Sequence, residues 1–336
     1  MDEAFLDLSA RLGCDPLLVQ GAGGNTSVKH NGTMWVKASG KWLAHAHEKN
    51  AFLSVDLAAL RACMAADDEQ TRISATFAVG SLRPSIETPL HAALPHRIVL
   101  HAHPVDVLAR AVTISGEHYF AQRLAGVSWT WIEYARPGLD LTRAVTRALR
   151  GQAVDVLILA NHGIVVGGED CAEAGARLDR VVAAVRQNPR EDDNRPTRTI
   201  LKRALQLGMR LSRHAVVQGL GLDPISFELC KQPPLYPDQV VFLGPQLMLV
   251  RVDEDPLAAL NRLAETHGKQ PEYLIWESHG VLVAPTAPAM VDEMLLGHAE
   301  LLRRVPQDAR LRALSALEIE RLLDWDAELY RQSLNR

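Results

Sequence analysis

Cysteine is scarce in this chain. The four present, Cys14, Cys63, Cys171 and Cys230, lie far apart, form no Cys-x-x-Cys pair and match no zinc-finger spacing. That pattern argues against a disulfide scaffold and fits a reduced, cytoplasmic protein. Long hydrophobic runs are also missing: no stretch approaches the roughly 18 apolar residues of a membrane span. The opening Met1-Asp2-Glu3-Ala4-Phe5 lacks the basic start and apolar core of a signal peptide. Nor is there a large excess of one charge. Lys and Arg number 36 against 40 Asp and Glu, a formal net charge of -4. Nucleic acid is therefore not expected as the main partner, although local basic pockets for a small phosphate remain open. What the chain has in quantity is apolar material, 47% of 336 residues, enough for one large domain or two ordinary ones.

The residues with chemistry to offer concentrate in one stretch. Arg83-Pro84-Ser85-Ile86-Glu87-Thr88-Pro89-Leu90-His91 is followed, after His96, by Arg97-Ile98-Val99-Leu100-His101-Ala102-His103-Pro104. Ile98, Leu100 and Ala102 alternate with Arg97, Val99, His101 and His103 at the two-residue period of a strand. His101 and His103 therefore share a face and form a chelating pair for a borderline-soft divalent metal. A third candidate ligand is His162, where the strand Asp155-Val156-Leu157-Ile158-Leu159-Ala160 runs into Asn161-His162-Gly163. Apolar on both faces, this strand belongs inside a covered sheet, and its end is a position where scaffolds place functional groups. With Glu87, three histidines make the ligand inventory of a catalytic zinc with an open position. On the residues alone, ordinary hydrogen-bonded histidines remain the alternative.

Two small-residue turns read as anion cradles. Gln20-Gly21-Ala22-Gly23-Gly24-Asn25-Thr26-Ser27 has the backbone freedom to aim several amides at one ligand, but neither the spacing of a Walker loop nor the preceding strand of a dinucleotide fingerprint. A plain glycine turn into the strand Thr26 to His30, closed by the Asn31-Gly32 hairpin signal, is its alternative. Beyond the return strand Thr33 to Lys37, Ala38-Ser39-Gly40-Lys41 offers a hydroxyl, an amide and a lysine. The pattern then predicts a capped helix from Ser54 to Met64 and a polar loop from Asp67 to Arg72. Later helices are expected from about Leu141 to Leu149 and from Glu169 to Gln187.

The charged, proline-bounded segment Asn188 to Pro196 reads as a linker or exposed loop, which divides the chain into 1-187 and 198-336. In the second part, Glu272 to Val283 lines up without a gap on Asp155 to Val166, setting His279-Gly280 on His162-Gly163. That part has no His-x-His and no Ser-Ile-Glu, so it reads as a degenerate half-repeat that packs without binding metal. A final amphipathic helix is expected from Leu314 to Tyr330.

Taken in order, these blocks resemble the class II aldolase and adducin head-domain family. Gly23-Gly24-Asn25-Thr26-Ser27-Val28-Lys29, Trp35-Val36-Lys37-Ala38-Ser39-Gly40, Arg83 to Thr88, His101-Ala102-His103-Pro104 and Asn161-His162-Gly163 carry the likeness over the first two thirds. The nearest likeness is to the aldolase portion of bifunctional rhamnulose-1-phosphate aldolase/alcohol dehydrogenase proteins, extended by Pro234-Leu235-Tyr236-Pro237-Asp238 and Trp325. The chain ends where their dehydrogenase domain would begin, so the second activity is expected to be missing.

The resemblance implies a three-layer α/β/α domain with a mixed or antiparallel central sheet. It implies Zn2+ on His101, His103 and His162, with Glu87 both a ligand of the resting site and the acid/base. Substrate phosphate would be held around Gly24, Asn25, Thr26, Ser39, Gly40 and Ser85. One departure weakens that cradle: Ile86 stands where fuculose-phosphate aldolases carry a second serine. His118-Tyr119 resembles the segment from which a neighbouring subunit supplies a catalytic tyrosine, so a homo-oligomer is expected. The implied reaction is metal-dependent cleavage of a ketose or ketose 1-phosphate through an enediolate. The family's 4-epimerases, decarboxylases and dehydratase, and a non-enzymatic adducin-like scaffold, are the other readings.

Overall fold

The computed structural model describes every residue except 67–74, 151, 153, 192–193, 324–328, 331–332 and 335–336. Seven strands form the main sheet: β1 (Asn25–His30), β2 (Thr33–Lys37), β3 (Phe52–Asp56), β4 (Ile98–Ala102), β5 (Trp129–Ile132), β6 (Val156–Leu159) and β7 (Gly163–Gly168). Their spatial order is β3-β2-β1-β4-β7-β6-β5. Every pair is antiparallel except β5 with β6, so the sheet is mixed.

Alternation sorts the strand residues between two layers of helices. Ile98, Leu100, Ile158 and Ile164 face the core shared with the helices Glu3–Cys14 and Cys171–Val185. Val99, Leu157 and Val165 face the opposite core, shared with Leu90 and the helix Leu139–Ala148. The result is the expected three-layer α/β/α arrangement. Asn31 and Gly32, with φ of 47° and 79°, close the tight β1–β2 hairpin, where positive φ suits the right-handed twist of the flanking strands.

The expected helix from Ser54 is corrected at its start. Ser54 to Asp56 finish β3, with Phe52, Leu53 and Val55 buried, and the helix is Leu57–Ala65. Its cap is Asp56, whose carboxylate accepts from the amide of Ala59 at 2.7 Å. The loop predicted from Asp67 to Arg72 lies outside the described residues. So does Trp325, and the last amphipathic helix is described over Ala316–Leu323 only.

Beyond residue 190 a four-stranded sheet follows: β8 (Arg210–Leu211), β9 (Leu249–Val250), β10 (Tyr273–Trp276) and β11 (Gly280–Val283), in the order β8-β11-β10-β9. Its core takes in Leu108, Ala109 and Val112 from the first part, packed with the helix Ala289–Leu302. The connection between the parts is anchored. The amide of Arg190 donates to the Arg303 carbonyl at 2.7 Å, and its guanidinium donates to the Val305 carbonyl at 2.9 Å and to Asp223 Oδ2 at 3.1 Å.

Candidate metal and anion site

β4 and the β6–β7 turn bring the three histidines together. His101 lies in β4, paired in register with Asn25 of β1 and Val165 of β7, and His103 follows just beyond the strand end. His162 sits in a turn made tight by Asn161 at φ 56°. All three are buried, and each presents a ring nitrogen within 4.8 Å of the other two. Glu87 completes the group from the residue before the helix Thr88–Ala93. Its Oε2 stands 3.2 Å from His101 Nε2, and its Oε1 3.5 Å from His162 Nε2.

The protonation of the rings follows from their outer contacts. His101 Nδ1 faces the Ile164 carbonyl at 2.9 Å, an acceptor, so the proton sits on Nδ1 and the Nε2 lone pair points inward. His103 Nδ1 stands 3.3 Å from Asp238 Oδ2, and a carboxylate there also favours the proton on Nδ1. The two Nε2 atoms face each other at 3.0 Å. In these tautomers both present lone pairs, which repel unless a cation lies between them and their neighbours. Glu87 Oε1 and His162 Nδ1 are buried without a hydrogen-bond partner. Two facing lone pairs and an unsatisfied carboxylate oxygen fit a divalent metal ion. Tetrahedral zinc, with Zn–N of about 2.0–2.1 Å, sets ligand nitrogens about 3.3 Å apart, close to the observed spacing.

Burial pushes His101 down to about 4 and His162 to about 3, in each case against the raising influence of Glu87. Both rings are therefore neutral at neutral pH, the state that ligates a metal. Burial of Glu87 favours its neutral form. In the acid range where the carboxyl titrates, His101 and His162 become protonated, and their charges, together with the Asn25 amide, outweigh burial and hold it at about 2.

A hydrogen-bond relay fixes the carboxylate. Asn25 Nδ2 donates to Glu87 Oε2 at 2.8 Å, and Asn25 Oδ1 accepts from His91 Nε2. His91 Nδ1 in turn accepts from Ser27 Oγ at 2.7 Å. His91 is held neutral, at about 3, chiefly by burial. The relay leaves the Asn25 amide one orientation, with its NH2 toward Glu87.

Beside this group opens a small polar cleft, lined by Gly24, Lys37, Ser39, Gly40, Ser85 and Glu87 among others. The amide of Ser39 donates to the Arg83 carbonyl at 2.8 Å and that of Ser85 to the Lys37 carbonyl at 3.0 Å, which sets the two hydroxyl residues side by side. Gly24, at φ 57°, closes the loop over the end of β4: a Cβ there would stand 2.8 Å from the His101 carbonyl oxygen. Lys37 Nζ donates to the carbonyls of Ala22 and Lys41 at 2.7 Å each, which fixes a nitrogen donor in the wall.

Residues 4–188 match the profile of the Class II Aldolase and Adducin N-terminal domain. The chain belongs to the class II aldolase and adducin family. Among curated relatives, an uncharacterized oxidoreductase, YuxG, of Bacillus subtilis (strain 168) is 30% identical over 182 residues. That match covers 50% of this chain and 26% of the relative, so the chain spans about a quarter of that protein. Among solved structures, the N-terminal class II aldolase domain of a conserved Thermoplasma acidophilum protein is 26% identical, covering 55% of this chain and 91% of the other at a TM-score of 0.49. L-fuculose-1-phosphate aldolase from Thermus thermophilus is 19% identical, covering 61% and 94% at a TM-score of 0.38.

In this class II aldolase and adducin family member, most of the residues singled out in the sequence converge on the cleft or on the histidine cluster beside it. Two do not. Thr26 points into the core, its Oγ1 2.7 Å from Ser9 Oγ. Tyr119 lies on the helix Gly116–Arg123, its hydroxyl accepting from Gln187 Nε2 at 2.6 Å beneath the Arg110 guanidinium, and it is not among the described residues lining the cleft. Two site residues carried no assigned role in the sequence. The lysine of the cleft is Lys37 rather than Lys41, which supplies only a carbonyl to hold it. Asp238 arrives from the second part, and only its place in the segment Pro234 to Asp238 pointed to it.

Proposed function

We propose that the chain is a metal-dependent aldehyde-lyase, a class II aldolase that cleaves a ketose or ketose 1-phosphate of the rhamnulose or fuculose type, with zinc as its metal. The observation that carries this reading is the approach of His101 Nε2 and His103 Nε2 to 3.0 Å, each ring with its Nδ1 turned to an oxygen acceptor, beside a buried Glu87 oxygen with no partner. His101, His103 and His162 would hold the ion, with Glu87 as a further ligand of the resting site. A divalent ion bound there supplies Lewis-acid polarisation of a ketose carbonyl and its neighbouring hydroxyl.

The remaining work falls to the chain's own groups. Glu87, ionised and oriented by Asn25, takes and returns the proton at the carbon beside the carbonyl. Lys37, Ser39, Ser85 and the Gly40 backbone hold the anionic end of the substrate, a phosphate or a carboxylate. A fixed lysine offsets the donor missing at Ile86. Tyr119 lies away from the cleft of its own chain, so its proposed role as proton donor to the departing aldehyde requires a second copy and makes a homo-oligomer part of this reading.

Residues 198–336 are read as a degenerate half-repeat. In both parts a buried strand, a left-handed residue (Asn161 at φ 56°, Ser278 at φ 60°), a second strand and a long helix follow in the same order, which supports that reading.

Metal analysis of the purified protein, followed by a panel of ketoses and ketose 1-phosphates assayed for aldehyde release, tests the function. Stoichiometric metal with cleavage of one of these sugars is the expected result. Stereochemical inversion without cleavage would reassign the chain to the epimerases. Absence of metal and of turnover would point to a scaffold.

A further inference from the structure

Among the described residues lining the cleft, one comes from beyond the family-matched segment 4–188. Asp238 is 5% exposed and sits in the first turn of the helix Pro237–Leu243. Its Oδ2 stands 3.3 Å from His103 Nδ1. The approach leaves no slack: a Cβ on Gly23 would lie 3.1 Å from Asp238 Oδ2 and 3.2 Å from His103 Nδ1. The segment that delivers Asp238 is clamped. The amide of Leu235 donates to Gln239 Oε1 at 2.9 Å, and its carbonyl accepts from Asn161 Nδ2 at 2.8 Å. Asn161 precedes His162, so the turn that presents one histidine also locates the carboxylate facing another.

We propose that Asp238 is a positioning residue of the metal site, an inference that rests on the reading of His101, His103 and His162 as ligands. It keeps the proton of His103 on Nδ1 and turns the Nε2 lone pair toward His101 and Glu87. Ligating imidazoles are generally oriented by a carboxylate or carbonyl at the far ring nitrogen, and losing that partner costs about 10–100-fold in metal affinity. His101 has the Ile164 carbonyl for this task. His103 has Asp238, so the part of the chain outside the family domain becomes a requirement of the metal centre.

The test uses the metal-free 336-residue chain, titrated with Co2+ and Zn2+ against a chromophoric chelator, for wild type, Asp238→Asn, Asp238→Ala, Asp238→Glu and His103→Gln. Asp238→Asn and Asp238→Ala are expected to bind about 10–100-fold more weakly, with Asp238→Glu recovering part of the loss. Nitrogen-15 shifts of His103 in the metal-free protein are expected to change from the Nδ1–H tautomer to a mixture in Asp238→Asn, a change that a merely structural role would not produce. If Asp238→Ala does not fold, the near-isosteric Asp238→Asn carries the test. Wild-type affinity in Asp238→Asn, or an unchanged His103 tautomer, overturns the proposal while leaving the metal reading intact, provided His103→Gln loses metal. If His103→Gln binds as wild type does, the metal reading fails and this proposal with it.

Discussion

Replacing Glu87 by glutamine separates a proton-transfer role from a structural one. The side chain is 4% exposed, so any loss of a partner at this position is felt in full. In Glu87→Gln the amide oxygen can take the place of Oε2 and keep the 2.8 Å bond from Asn25. The new NH2 then falls where Oε1 stands, 3.5 Å from His162 Nε2. The Oε1 position has no hydrogen-bond partner in the wild type either, so the exchange breaks no existing bond, and the metal-free protein should stay within about 1 kcal/mol of wild-type stability. Metal should still bind through the three histidines. General acid–base catalysis is worth about 10²–10⁴ in rate, which at 1.36 kcal/mol per tenfold is about 2.7–5.4 kcal/mol of barrier. The assay follows hydrogen exchange by NMR, at the carbon beside the carbonyl of a ketose 1-phosphate in deuterated buffer, per folded and metal-loaded molecule. Wild-type exchange in Glu87→Gln, accompanied by a lowered melting temperature, would refute the assignment of Glu87 as the base.

Three further predictions follow from particular contacts. Asp292 is fully buried and accepts from Arg210 Nη2 at 2.7 Å, Ser212 Oγ at 2.9 Å and the Arg213 amide at 3.2 Å. Because Arg210 keeps access to water, Asp292→Ala should cost about 2–4 kcal/mol in urea unfolding. Burial raises the Asp292 pKa, but the Arg210 and Ser212 bonds outweigh it and hold the group below 3.8. The native state thus binds this proton less readily than the unfolded chain. Its contribution is complete above about pH 4 and disappears as pH falls through the folded pKa, and Asp292→Asn should flatten the acid limb of stability. Lys37→Met should weaken inhibition by inorganic phosphate about 10–100-fold, the worth of about one charge-assisted hydrogen bond; unchanged inhibition would remove Lys37 from the anion site. Asn161→Ala loses donors to the Leu235 and Arg312 carbonyls and leaves alanine at φ 56°. It should be about 1–2 kcal/mol less stable than Asn161→Gly, which loses the same bonds without the left-handed strain; equal stabilities would show that the turn conformation is not what Asn161 supplies.

The sequence made the main sheet and the histidine cluster legible because both are written in local patterns. Ile98, Leu100 and Ala102 alternate with His101 and His103, so the strand and the face shared by the histidines are one observation. Asn161-His162-Gly163 is likewise a strand end readable within a few residues. Ser54 to Asp56 invites a helix for an equally local reason. Ser and Asp before an apolar run imitate a helix cap, and Asp56 is indeed the cap, but the pairing of β3 with β2 takes the residues before it into the sheet. Lys37 and Asp238 escape notice because nothing near them in sequence marks their role. Lys37 is the last residue of an ordinary strand, and Asp238 meets His103 only after the two parts have packed.

That packing explains why the second part does not behave as an appendage. Its core continues through Leu108, Ala109 and Val112, on and just beyond the helix that follows His103-Pro104. The Asn161 side chain, on the residue before His162, donates to carbonyls at Leu235 and Arg312, both in the second part. The backbone beside two of the three histidines is therefore braced by residues beyond 190, and the carboxylate facing His103 comes from the same region. Packing alone does not account for the carboxylate, since apolar burial is non-directional and asks for no buried carboxylate. The cost of burying Asp238 is intelligible if the carboxylate is used, and the imidazole 3.3 Å from it is a group on which it can act.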